Sequence, residues 1–294
     1  PDLEQKGAHA LLHRHLVEHA TQLDGVLDGH GLALLDLLGQ RHALARGLVL
    51  GAEVVLKELL ELGEHGLEDA PPGVWVGLDD LDDTLDLALQ RIADLLRRLR
   101  QCLAPDNIIE DSESQRPFEC DALTLYRDLP LAVVLPETVE PVQQVLRICH
   151  EFSVPVVARG AGTGLCAGAM PHPDGVLLVL SKLDRILNID PLARTATLQP
   201  GVSNLAISAA AACHGLYYGP DPSSQIACTI GGNVAENSGG VHGLKYGLTV
   251  HNILSLNVLT VAGEALTIGS MGLDSPGYDL LALFTGSEGL LGIV

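Results

Sequence analysis

The sequence predicts an α+β fold over residues 95–294, and three observations carry that reading. Apolar runs at 131–135 and 156–158 flank a helix-patterned stretch, a strand, helix, strand unit that delivers the chain into Arg159-Gly160-Ala161-Gly162-Thr163-Gly164. Residues 253–261 and 265–268 read as two strands joined through Ala262-Gly263-Glu264, as in an antiparallel hairpin. Between these units, residues 219–246 are rich in glycine, hydroxyl and amide side chains and poor in charge, a connection too long to be idle.

Residues 1–94 stand apart from that pattern. They contain no Ser, Asn, Phe, Tyr, Met or Cys, yet hold seven of the 12 histidines. Six basic residues against 18 acids leave the segment at −12, whereas 11 against 19 leave the other 200 residues at −8. Leucine recurs at helical spacing in 53–61 and 81–96, which predicts amphipathic helices within a segment that is helical or disordered. It reads either as translated non-coding sequence joined upstream by a gene-model error or as a variable helical extension. His9/His13 and His15/His19 are i,i+4 pairs, but no carboxylate completes an HExxH motif and no cysteine is near, so no metal site is expected.

From Ile92 the elements follow in order. Ile92–Cys102 patterns as an arginine-rich surface helix and 107–127 as a polar connection. Leu131–Leu135 is a strand stopped by Pro136; Thr138 then offers an N-cap, with Pro141 early in the helix and Val142, Val145, Leu146 and Cys149 on one face. Gly175–Leu180 is the third strand, and Arg185–Asp190 and Thr195–Gln199 are two more about a turn at Pro191. An alanine-rich helix, Leu205–Cys213, should end at Gly215 as its C′ residue, and Tyr278–Phe284 is a short helix. These elements divide into subdomains of about 117–190 and 191–294.

The glycine loop is the strongest chemical signal. Arg159–Gly168 holds four glycines after a buried strand, a density that lets backbone N–H groups converge on one concavity and hold a phosphate or diphosphate. A nicotinamide fingerprint fails, because GxGxxG would need glycine at Leu165 or at Ala167, and no Gly-Lys-Ser/Thr follows to make a P-loop. A glycine-rich turn without a ligand remains the alternative at this point. The net charge of −20 argues against nucleic acid or anionic lipid as a partner. Six cysteines without a CxxC pair read as reduced thiols, and no uncharged apolar run reaches 18 residues, so the chain reads as cytoplasmic with no integral membrane segment.

Taken with the loop, Gln199-Pro200-Gly201, Gly219-Pro220-Asp221-Pro222-Ser223-Ser224, Thr229-Ile230-Gly231-Gly232-Asn233-Val234-Ala235-Glu236-Asn237-Ser238-Gly239-Gly240 and Gly286-Ser287-Glu288-Gly289 resemble the flavin-binding domain of the p-cresol methylhydroxylase and vanillyl-alcohol oxidase superfamily. Within it, residues from about Glu110 onward are most similar to the FAD subunits of bacterial glycolate oxidases, relatives of D-lactate dehydrogenases. The resemblance implies a p-cresol methylhydroxylase-type FAD-binding domain of two α/β subdomains, incomplete at its C-terminus, and non-covalent FAD, since no histidine stands in the loop. It implies cofactor contacts at Arg159, Gly160, Ala161, Gly162, Thr163, Gly164 and Leu165, at Pro200, Gly201, Pro220, Asp221 and Ser223, and at Thr229, Gly231, Gly232 and Asn233. It extends them to Asn237, Ser238, Gly239, Gly240, Tyr246, Gly247, Glu288, Gly292, Ile293 and Val294. Asp221 could equally order its own turn between two prolines.

The implied reaction is oxidation of a small 2-hydroxy acid, glycolate or D-lactate, with electrons leaving to flavin-like and iron–sulfur partner subunits at the inner membrane. The family's catalytic residues and metal-holding histidines belong mainly to a C-terminal domain outside this sequence, so the fragment alone is expected to be inactive. No base is assigned, and His242, His251 and Tyr246 are where a search on this chain would begin. A non-catalytic assembly subunit and a non-functional truncated product are the alternatives.

Overall fold

The computed structural model describes residues 74–270, 272 and 277–294, with the backbone alone for 74–86. The readings at 53–61 and at the four N-terminal histidines lie outside the described residues. The chain divides into two units, residues 1–97 and 98–294. The helix expected from Leu81 is present as α1, Val74–Cys102. Ala88, Ile92, Leu95 and Leu99 recur at three- and four-residue intervals and are buried, so the stretch expected to be a surface helix carries an apolar stripe. In the second unit, Arg98 pairs with Glu151 at 2.6 Å and stands over the Phe152 ring at 5.6 Å.

The parallel core comes next. Strands β1 (Ile108–Ile109), β2 (Ala132–Val134), β3 (Val156–Arg159) and β4 (Val176–Val179) form one sheet in the order β1-β2-β4-β3. β2 and β3 run parallel to β4, and β1 is antiparallel to β2. β1 lies in the stretch expected to be a polar connection; two apolar residues are too few to show a period. It is followed by α2 (Ser112–Gln115), whose first turn is capped by the Asp111 side chain accepting from Ser114 N. Between β2 and β3 runs α3 (Val139–Glu151), with extended Thr138 at its N-cap and Val142, Val145, Leu146, Ile148 and Cys149 buried. Val133, Leu177 and Val179 form a core cluster with Ile109, Phe118, Leu135 and Val157 packed on it. Truncating one such residue, as in Leu177→Ala, removes about 2–5 kcal/mol.

The remaining elements build two antiparallel hairpins. β5 (Ile186–Asp190) pairs with β6 (Thr195–Leu198), and Asp190 Oδ1 orders the turn by accepting from Leu192 N and Ala193 N at 2.9 and 3.0 Å. The subdomain division drawn at 190/191 therefore falls at the turn of a paired hairpin. α4 (Asn204–Ala211) is N-capped by Ser203 and runs through one 3-10 turn into Gly215, left-handed at φ +68°. Val202, Ile207 and Ile230 form the cluster beside it.

The segment expected as one long loop holds two helices, α5 (Ile230–Glu236) and α6 (Gly243–Tyr246). Gly231 and Gly232 read as loop residues in the sequence. Here a Cβ on Gly231 would lie 2.7 Å from Pro200 Cβ, and close packing rather than a bend is what glycine permits. β7 (Ser255–Leu259) and β8 (Ala265–Gly269) pair from Leu259↔Ala265 outward, and α7 (Leu280–Phe284) follows. Val234, Leu256, Val258 and Ile268 form the cluster that joins α5 to this hairpin, with Leu281, Phe284 and Val294 against it.

Candidate functional site: a glycine cradle

β3 ends on Arg159, which is buried. Its Nη1 donates to the carbonyls of Cys120 at 2.7 Å, Ala169 at 3.3 Å and Phe118 at 3.4 Å, and burial lowers its pKa against the opposing pull of Asp121. The guanidinium thus ties Ala169, where the glycine loop ends, and the 118–120 connection to the end of β3. Gly162, at φ +68°, leaves no room for a side chain, since an added Cβ would run into that guanidinium. A Cβ on Gly160 would strike Thr229 Oγ1, the hydroxyl that caps α5 by accepting from Gly232 N at 3.2 Å. Loop, Thr229, Gly231 and Pro200 therefore meet at one place.

The loop's own backbone is open. Among the described residues, no N–H from Gly160 to Leu165 donates a hydrogen bond to the protein. Consecutive N–H groups with no protein acceptor are free to bind one anion, and a diphosphate suits them. Ala161 and Leu165 are exposed.

Residues 286–289 close the same region from another side. Gly286 N donates to Val234 O at 2.8 Å and Glu288 N to Ala235 O at 2.9 Å, which seats the turn on α5 with Glu288 left-handed at φ +54°. Ile293 bridges to Leu259, and Val294 packs on the hairpin core. Asn233 is 1% exposed, and its side chain lies beside the Cys228 thiol, whose pKa it helps to lower against the larger effect of burial. Asn237 ends α5 left-handed and accepts from Val250 N at 3.0 Å, and the Ser238 carbonyl accepts from Thr249 Oγ1 at 2.7 Å. Gly201 is enclosed, with the carbonyls of Leu180, Leu183 and Ser181 2.6 to 2.8 Å from where its Cβ would be.

A second group forms around Asp221. Its Oδ1 accepts from His242 N at 3.1 Å and its Oδ2 meets His242 Nδ1 at 2.6 Å, and these bonds hold the carboxyl pKa below the usual value. Asp221 thus braces the chain at His242 rather than its own turn. Gly240 sits where any Cβ would strike the Asp221 carbonyl, and Gly219 faces Tyr246. Asn204 Nδ2 donates to the Pro220 carbonyl at 3.0 Å. Lys245 lies 4.8 Å from the Tyr246 ring centroid, and hydrogen bonds from Tyr217 and Lys245 lower the Tyr246 pKa. His251 Nδ1 accepts from Leu248 N at 3.1 Å, and its ring fills the space a Cβ on Gly247 would need. Ser223 is exposed.

Two residues at the loop went unnoticed in the sequence. Glu236 and Asp121 both approach Gly164. The available signal for Glu236 was a lone charge in 229–240, and Asp121 gave none, lying 43 residues upstream of Gly164. Among the described residues no His/Cys/Asp/Glu group is arranged to hold a metal, and no helix is long and apolar enough to cross a membrane.

A cradle of open amides fed by a parallel strand, braced by an antiparallel half, is the plan of a p-cresol methylhydroxylase-type FAD-binding domain. Residues 130–269 match the model of the FAD binding domain family, and the cofactor this match indicates is FAD. The chain is 58% identical over 214 residues to the glycolate oxidase subunit GlcD of Escherichia coli K12, covering 72% of this chain and 43% of that protein. It is 43% identical over 202 residues to GlcD of Bacillus subtilis, covering 68% and 43%. Among solved structures, alkyldihydroxyacetonephosphate synthase shares the fold at a TM-score of 0.59 and 23% identity, over 68% of this chain and 42% of that one. The chain thus spans less than half the length of these relatives. The unpaired N–H groups of Gly160–Leu165 fit FAD's diphosphate.

Proposed function

We propose that this chain provides the flavin seat of an enzyme that oxidises a small 2-hydroxy acid, glycolate or D-lactate, to its 2-oxo acid. The observation that carries the reading is the run of unpaired N–H groups from Gly160 to Leu165, in a chain 58% identical to a glycolate oxidase subunit. Gly160, Ala161, Gly162, Thr163, Gly164 and Leu165 hold the diphosphate through backbone amides. Thr229, Gly231, Gly232 and Asn233 line the adjoining wall, and Asn237–Gly240 and Tyr246–Gly247 border the ring system. Binding is non-covalent.

When bound, FAD accepts the two electrons that hydroxy acid oxidation releases. This chain's residues fix its position and exclude water from one side of it. The substrate hydroxyl must also lose a proton. His242, gripped at two points by Asp221, and Tyr246, with its lowered pKa, are this chain's own candidates for that work. Electrons pass to flavin-like and iron–sulfur partner subunits, and the assembly is cytoplasmic and peripheral to the inner membrane.

The test is spectroscopic. Purified protein supplied with FAD should show flavin bands in the blue and near ultraviolet at one flavin per chain. The full-length protein should lose them when glycolate or D-lactate is added without oxygen. Protein that stays colourless overturns the seat; a bound flavin that neither acid bleaches overturns the substrate class. Copurification of an iron–sulfur protein tests the partners.

A further inference from the structure

Three carboxylates border the glycine loop, and two of them have no part in the reading above. A Cβ built on Gly164 would lie 3.3 Å from Glu236 Oε1 and 3.9 Å from Asp121 Oδ2. One built on Gly168 would lie 3.1 Å from Glu288 Oε2 and 3.9 Å from the same Glu236 oxygen. The three come from separate places: the connection before β2, the last residue of α5, and the 286–289 turn.

Asp121 is 4% exposed. Its Oδ1 accepts from Leu123 N at 2.8 Å, while its buried Oδ2, directed at the Gly164 side of the cluster, has no hydrogen-bond partner among the described residues. Arg159 acts on Asp121 from β3, but its Nη1 is committed to three backbone carbonyls. Among the described residues no Lys, Arg or His forms an ion pair with any of the three carboxylates. Three acids facing one another beside an anion cradle repel each other and would repel a diphosphate. The conflict disappears if one of them is neutral.

Glu236 is the member placed to be that one. It stands between the other two and is exposed to solvent, with which it can exchange a proton. Its pKa is raised by partial burial, then by Glu288, then by Asp121. A diphosphate arriving at the loop adds negative charge and displaces screening water, both of which favour the protonated form further. A neutral carboxyl is also a hydrogen-bond donor, which the ionised group is not.

We propose that Glu236 joins the flavin seat as a neutral carboxylic acid, taking up a proton as FAD binds and donating it in a hydrogen bond to an oxygen of the cofactor. The proposal rests on the flavin reading and assigns a binding role to a residue outside the glycine motifs. Because the bound form holds more protons, FAD affinity falls as pH rises through the range where free Glu236 is ionised, by up to about tenfold per unit.

Calorimetric titration with FAD from mildly acidic to mildly alkaline pH, in buffers of different ionisation heat, is the experiment. The wild-type protein should take up about one proton per FAD bound over the range where affinity falls. Glu236→Gln, which keeps a donor without a titrating group, should bind FAD with little pH dependence and no proton uptake. Glu288→Gln should move the fall in affinity to lower pH, because one of the groups raising Glu236 is gone. Wild-type binding without proton uptake overturns the proposal, as does a Glu236→Gln protein with the wild-type profile. Should Glu236→Gln fail to fold, the wild-type uptake and the Glu288→Gln shift decide it. Absence of FAD binding at every pH overturns the flavin seat itself, and this proposal with it.

Discussion

Residues 160–165 and 239–247 are both glycine-dense, with three glycines in the first and four in the second. Their hydrogen bonding is opposite. In the first, no N–H donates within the described protein; in the second, His242, Gly243, Lys245, Tyr246 and Gly247 all donate, to Asp221 or to carbonyls of the same segment. The glycines differ to match. Gly162 keeps the loop open in a left-handed conformation, whereas Gly239 and Gly240 let Leu248 and Asp221 press against backbone. The comparison teaches that glycine content alone does not locate a ligand. Unpaired amides do.

The largest effect that would break this comparison is at Gly162. Gly162→Val places a β-branched side chain at φ +68° against the Arg159 guanidinium, and FAD retention should fall at least about 100-fold, read as flavin per folded chain. A folded variant that still carries one flavin per chain would remove the loop from the site. Gly240→Ala should act on stability instead. Its Cβ meets the Asp221 carbonyl, an overpacking worth about 1–3 kcal/mol that should lower Tm by several degrees.

Asn204→Ala leaves the Pro220 carbonyl without its buried donor and should remove about 1–3 kcal/mol, measured by urea unfolding. The smallest effect concerns pH. Because the Asp221 carboxyl pKa is held below 3.8 by His242, its contribution is present above that value and is lost as pH falls through the lower folded-state pKa. The slope of Tm against pH in that acid range should be shallower in Asp221→Asn, and an unchanged slope would show that the pair does not couple to folding.

How much of this was legible follows from the same contrast. Strands β2, β3 and β4 and helix α3 were readable because their apolar runs and periods are local, and Pro136 and Thr138 punctuate them. The hairpin β7/β8 was readable from its turn. Strand β1 was not, since Ile108-Ile109 becomes a strand only by pairing with Val134 and Val133. Helix α5 was hidden because two glycines lower helix propensity, while its stability comes from the Thr229 cap and from Val234 packing on the β7/β8 core. Of the loop's acidic neighbours, Glu288 stood in a glycine motif among the expected cofactor contacts, whereas Asp121 and Glu236 were not singled out. Asp121 and Glu288 reach Glu236 through tertiary structure, which no spacing encodes.

One feature of the sheet bears on how the cradle comes into being. β2 and β3 do not bond to each other; each bonds to β4, which the ribosome makes after both of them and after the glycine loop. At about 5–20 residues per second, the strand that holds the loop's N-terminal anchor waits on the order of seconds for its partner. Until β4 slides between them, the edges of β2 and β3 that face it are unpaired, and in the folding chain such edges are open to wrong partners.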